Sequence, residues 1–303
     1  MGNSQLINQV IVLFIIMIVG FYAKKKKFLN TTVDKGLSEL LINITLPFMI
    51  VTSFNIKYEA TMVSNAQKIL MYSFLIHISL IFIGKMLFFK FPKNKKQVFK
   101  FITIFCNVGF MGYPVLESIY GGIGVFYAAI FNIPFNILLW TVGVMLFTGE
   151  KDFKSMRKAV ANPALIAVFI GLILFAYSIK LPLPIATSLK LVGSTTTPIS
   201  MIIIGSMLAE MQFKNIFSDL SIYYASLVRL LIVPLLVYVV LTLLKVDILL
   251  LNICIILQAM PAAVMAPIIA EKYNGDSLLA SQCVFITTLV SGITIPIVIL
   301  FLK

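Results

Sequence analysis

Apolar runs of membrane-crossing length follow one another almost without pause from residue 5 to residue 302. A helix needs about 20 apolar residues to cross the hydrocarbon core of a bilayer. No water waits there for an unpaired backbone N–H or C=O, so helices or closed barrels are the only structures that span it. Runs of this length and composition read as helices. Ten are delimited by clusters of charge, at 5–23, 33–54, 66–89, 98–120, 123–148, 162–179, 183–209, 219–243, 247–273 and 278–302. Only 12% of the residues are charged, against about 25% in soluble domains.

Two of the runs are interrupted in the same way, half a chain apart. Pro114 is followed by Tyr120 and Gly122, and Pro267 by Tyr273 and Gly275, at identical offsets. A second pair matches as well. Pro47 and Pro198 are 151 residues apart, and Pro114 and Pro267 are 153 apart. Five spans per half is an odd number, so the second half must run opposite to the first. The expected fold is an all-α integral membrane protein of ten transmembrane helices in two inverted five-helix repeats, with helices 4 and 9 broken. The repeats cover 1–148 and 162–303, joined by a short cytoplasmic connection at 149–161. Matched broken helices are the mark of a secondary transporter's binding site.

The net charge of +13 is distributed unevenly. Odd-numbered connections hold sixteen basic residues, among them Lys24, Lys25, Lys26, Lys27, Lys151, Lys154, Arg157, Lys158 and Lys214, while the even-numbered ones and the tail hold five. The positive-inside rule then puts the odd connections in the cytoplasm and both termini outside, in a multi-pass protein of the cell (plasma) membrane. Such basic patches read as contacts with the anionic lipid bilayer, and no nucleic acid is expected as a partner. Cys106, Cys254 and Cys283 show no metal-ligand spacing and read as small buried hydrophobes. No metal, no other cofactor and no catalytic residue is expected, since the spans hold no nucleophile–base set.

A helix that breaks at mid-membrane presents free N–H groups and the positive end of its dipole, where a carboxylate can dock. The second half-helix of span 4 is expected near Pro114, and that of span 9 near Pro261 or Pro267. Gly109 and Gly112 permit close approach of a ligand or of the opposing backbone. Asn107 offers an amide to substrate or to freed backbone, and Gln258 lies three residues before Pro261. Asn132 and Asn136 share one face of span 5. His77 and Arg229 are the candidate proton or anion partners. For Arg229 the alternatives are an anion, Glu210 or a backbone carbonyl. Hydroxyls near the prolines are expected to repair freed backbone groups. Lys190 is expected to snorkel outward, and Glu117 and Glu271 to be solvated near span ends.

The chain resembles the auxin efflux carrier (PIN-like) family of membrane transporters, in its compact prokaryotic form. Asn107-Val-Gly109-Phe-Met-Gly112-Tyr-Pro114 in span 4 carries the resemblance best, supported by Met260-Pro261 and Ala270-Glu-Lys-Tyr273-Asn274 in span 9. The resemblance implies a scaffold of helices 1, 2, 6 and 7 and a transport unit of helices 3–5 and 8–10. Helices 4 and 9 would cross at its centre. It also implies a homodimer through the scaffold and a small organic anion, a carboxylate or auxin-like molecule, as cargo. Many relatives have an Asn where this chain has Met265, which makes the ninth-span half of the site less polar. The resulting expectation is alternating-access transport of a small organic anion. The rivals are an ion channel, which lacks a visible filter motif here, and a transporter-like membrane sensor without flux.

Overall fold

The computed structural model of the chain describes residues 3–149, 161–210 and 219–302. The basic residues of the expected join (Lys151, Lys154, Arg157, Lys158), as well as Lys214, lie outside the described residues. In chain order the helices are α1 (Asn3–Lys25), α2 (Thr31–Leu40), α3 (Leu46–Ser53), α4 (Ala60–Leu87), α5 (Lys93–Ile104), α6 (Tyr113–Leu138), α7 (Val144–Thr148), α8 (Pro163–Ala176), α9 (Leu183–Ser194), α10 (Thr196–Glu210), α11 (Leu220–Leu227), α12 (Val233–Leu243), α13 (Ile248–Ala259), α14 (Met265–Lys272) and α15 (Ser277–Phe301). Among the described residues, seven helical stretches are long and apolar enough to cross a membrane: Ile7–Lys25, Thr31–Ser53, Ala60–Leu87, Val108–Thr148, Leu183–Glu210, Leu220–Leu243 and Ser277–Phe301. Pro163–Ala176 and Ile248–Ala259 are shorter apolar helices. The protein is therefore an all-helical, multi-pass membrane protein.

Proline explains much of the local helix geometry. Of the four π-helical turns among the described residues, three, Leu41–Thr45, Val108–Gly112 and Val228–Ile232, end two residues before a proline, at Pro47, Pro114 and Pro234. Proline has no N–H for the carbonyl four residues back, and its ring crowds that carbonyl. Widening the helix by one residue lets it continue past the defect. Pro198 and Pro267 do something else. They sit at the third residue of α10 and of α14, in a first turn whose N–H groups have no intrahelical partner anyway. The prolines that pair off by sequence spacing thus have different local roles in the two halves. Gly121, at φ +58 and ψ −146, interrupts α6 in a conformation that other residues rarely adopt. It falls between the expected ends of spans 4 and 5.

The described residues divide into two units. The first comprises 1–68, 109–130 and 160–211, and the second 69–108, 131–159 and 212–303. Inside the first unit α1 lies directly on α10. A Cβ built on Gly20 would come within 2.2 Å of the Ile202 carbonyl oxygen, and one on Gly205 within 1.9 Å of that of Met17. Small residues of this kind let membrane helices pack backbone to backbone, where lipid gives no hydrophobic push. An ion cluster closes one end of this pair. Lys24 Nζ is 2.5 Å from Asp34 and 2.5 Å from Glu210, and the Ser206 hydroxyl donates to the Asp34 carboxylate at 2.8 Å. Lys24 therefore serves packing. Elsewhere in the unit, α3 packs on α8 and α9.

In the second unit α15 runs beside α5, α11, α13 and α14. The Lys95–Asp219 pair, at 2.6 Å, ties the start of α5 to the N-cap of α11. Partial burial opposes ionisation of Asp219, but bonds from Lys95 and Ser221 hold its carboxyl below the usual carboxylate value.

Gly205→Val should uncouple α1 from α10 and abolish a monodisperse folded protein, because both backbones are in the way. Gly36→Ala, with no atom within 4 Å of the added Cβ, should behave as wild type. Detergent thermostability and size-exclusion profiles of the two variants check this.

Candidate functional site at two helix breaks

Helix α5 ends at Ile104 and α13 ends at Ala259. The residues that follow are extended and pair with each other, Cys106 opposite Ala262, as an antiparallel bridge. The Asn107 N–H donates to the Pro261 carbonyl at 2.8 Å, and the Ala263 N–H to the Phe105 carbonyl at 3.1 Å. The two breaks foreseen in spans 4 and 9 therefore meet. The break in span 4 comes earlier than expected, at Phe105–Asn107 rather than near Pro114, since the chain is helical again from Val108. In span 9 helix resumes at Met265, between the two prolines considered.

Every break leaves backbone groups that a membrane cannot solvate, and the second unit meets them in a definite way. Arg229 is fully buried. Its Nε donates to the Met260 carbonyl at 3.1 Å, Nη1 to the Thr103 carbonyl at 2.8 Å, and Nη2 to the Gln258 carbonyl at 2.6 Å. Nη1 and Nη2 also reach the Gln258 side-chain oxygen at 3.3 Å. These contacts engage all five guanidinium N–H groups. The accepting carbonyls belong to the C-terminal ends of both α5 and α13, where the helix dipoles are negative and a cation is favourable. Of the three partners the sequence allowed for Arg229, the carbonyls are the ones met. Glu210 belongs to the Lys24 cluster instead, and no guanidinium N–H is left over for an anion. On the other side of the bridge, the Ala262 N–H donates to the Thr287 hydroxyl at 3.1 Å.

His77 is fully buried among Phe105, Phe131 and Phe135, with ring centroids at 6.5, 5.5 and 5.6 Å. Its Nδ1 lies 2.6 Å from the Ser73 carbonyl, which can only accept, so this nitrogen carries the proton. The Ser73 hydroxyl bonds the Phe131 carbonyl at 2.6 Å. The arrangement fastens α4 to α6 and places His77 in an apolar pocket, not in a chain of proton carriers. Asn132 and Asn136 are both buried on one face of α6, where the Asn136 amide donates to the Asn132 carbonyl at 2.9 Å.

Asn107, Asn132, Asn136, Gln258, Pro261, Pro267, His77 and Arg229 all fall in the second unit, whereas Gly109, Gly112 and Pro114 fall in the first. Asn107 stands in the paired segment itself, with its side chain buried. Within the first unit, the Ser200 hydroxyl donates to the Phe110 carbonyl, the group that Pro114 leaves without its usual N–H. A hydroxyl the sequence did not single out therefore meets the carbonyl that this proline exposes. Thr287 was missed as well. The Thr287-Thr288 and Ser291 hydroxyls on adjacent turns of an apolar helix were the available signal.

Arg229→Met should leave three buried carbonyls without donors, at about 1–3 kcal/mol each, and strongly lower the thermostability of purified protein. Arg229→Lys, which keeps the charge but has three donors, should fall between it and wild type.

Comparison with known proteins agrees with the pattern. The family described as membrane transport protein matches residues 5–153 and 150–299. An uncharacterized transporter of the archaeon Methanothermobacter thermautotrophicus is 25% identical over 98% of this chain and 97% of its own length. One from Methanocaldococcus jannaschii is 26% identical over 95% of this chain and 96% of its own length. One from Escherichia coli is 22% identical, with 96% of each chain covered. With nearly its whole length matched, this chain belongs to the membrane transport protein family, the auxin efflux carrier-like group of membrane transporters.

Proposed function

We propose that the protein is a secondary transporter that moves a small organic anion, a carboxylate or auxin-like molecule, across the cell membrane by alternating access. One observation carries the reading: two interrupted apolar helices meet at their breaks, and their charges are complementary there. Arg229 neutralises the negative C-terminal ends of α5 and α13. The helical segments that resume at Val108 and Met265 begin with N–H groups directed back toward the breaks. That positive dipole end suits a carboxylate and needs no further fixed cation. Asn107 and Gln258 are proposed as the amide contacts to substrate, with Asn132 and Asn136 behind them. Pro261 and Pro267, in the same unit, shape the backbone around it.

The reading includes ten crossings in two inverted repeats. Helices 1, 2, 6 and 7 would be the scaffold and 3–5 and 8–10 the part that moves, with both termini outside and a homodimer formed through the scaffold. The similar proline spacing in the two halves, 67 and 69 residues, supports the repeat. The family match also falls in two stretches that meet at residues 150–153, where the sequence places the join.

Protein reconstituted in liposomes should show saturable, counter-transport-stimulated uptake of a radiolabelled carboxylate from a panel. Asn107→Ala should abolish that uptake while size-exclusion behaviour and thermostability stay as in wild type. Unchanged uptake by the variant would remove Asn107 from the site, and non-saturable conductance by wild type would favour a channel.

A further inference from the structure

The first unit holds a cleft of about 570 Å³, within the range of small-ligand sites. Its polar lining is Thr52 and Ser53 at the end of α3, Asn55 just beyond it, Glu117 on α6, and Thr187, Lys190 and Ser194 on α9. On α9 the lining residues Leu183, Ala186, Thr187, Lys190, Gly193 and Ser194 recur every three or four positions and so form one helix face. Lys190 belongs to that face and thus lines the cleft, where snorkelling away from the protein was expected. Glu117 was expected to be merely solvated. It is half-buried, and the Thr197 hydroxyl donates to its carboxylate at 2.5 Å. That single bond leaves the carboxylate most of its accepting capacity. Lys190 has no carboxylate within 4.0 Å among the described residues. The cleft thus contains one cation and one anion that do not neutralise each other.

Two opposite charges held apart in a polar cleft are complementary to a ligand with the same two charges reversed. A simple carboxylate would be attracted by Lys190 but repelled by Glu117. A ligand carrying an ammonium beside its carboxylate satisfies both, and the surrounding hydroxyls and amide supply further bonds. We infer that this cleft is a binding site for an amino-carboxylate of α-amino-acid type, its carboxylate on Lys190 and its ammonium on Glu117. The inference goes beyond the carrier reading, since the cleft belongs to the first unit and not to the helix breaks of the second, and it is tested by binding alone.

The test measures binding to purified wild-type protein by ligand-induced thermostabilisation, titrating matched pairs: L-alanine and propionate, L-aspartate and succinate, L-glutamate and glutarate, L-phenylalanine and 3-phenylpropionate. At least one amino acid should bind ten-fold or more tightly than its deaminated partner. Glu117→Gln should bring the pair to within about two-fold of each other, as expected when one of two charge contacts is removed. Lys190→Gln should weaken both members. Equal or tighter binding of every deaminated acid, a preference unchanged in Glu117→Gln, or no binding of any amino acid would overturn the inference. Flux of carboxylates with no binding of any amino acid leaves the carrier standing and removes this site. Amino-acid binding with no flux of any panel member keeps the site and removes the carrier.

Discussion

A helix that stops inside an apolar medium leaves its last carbonyl oxygens without donors, and each costs several kcal/mol if nothing meets it. In this protein two helices stop within the same unit, and one guanidinium meets both ends. Burying Arg229 is itself expensive unless every donor is engaged. Its five N–H groups are matched by the carbonyls of Thr103, Gln258 and Met260 and by the Gln258 side chain. The two costs cancel because they are complementary. Arginine, with its planar fork of donors, is suited to this in a way that lysine is not. The pairing of Cys106 with Ala262 and the Thr287 contact satisfy further backbone groups at the breaks.

This arrangement also fixes the electrostatics of the region. With the C-terminal ends of α5 and α13 occupied by a cation, the open partial charges belong to the N-terminal ends of the segments that follow, and these are positive. That polarity is the physical ground on which an anion is proposed as the cargo. The first unit solves a different problem. Backbone contact at Gly20 and Gly205 brings α1 and α10 together, and the shared Lys24 joins two acids that would otherwise repel.

Much of this was legible in the chain. Apolar run lengths announced a multi-pass helical membrane protein, and Gly121 lies at the expected boundary between spans 4 and 5. The prolines marked the perturbed helices, and an arginine in an apolar run announced a buried partner. Some details were not legible, for definite reasons. Pro114 reads as the place where span 4 breaks, yet a π-helical turn absorbs it and the Ser200 hydroxyl bonds the exposed Phe110 carbonyl. Proline shows that a bond is missing but not how the loss is accommodated. His77 reads as a proton carrier only while its neighbours are unknown. Phe105 and Phe131, distant in sequence, make its pocket apolar.

By itself the sequence determined that the chain is a membrane-embedded set of helices with paired defects in its two halves. Hydropathy, proline and charge act through local physics that needs no knowledge of neighbours. Only the tertiary structure decided that the defects of spans 4 and 9 bond to each other, that Arg229 serves carbonyls rather than a ligand, and that Lys190 and Glu117 share a cleft. Each of these depends on which groups approach within hydrogen-bonding or ionic range. Residues such as Thr103 and Arg229 are 126 positions apart along the chain, and packing alone brings them together.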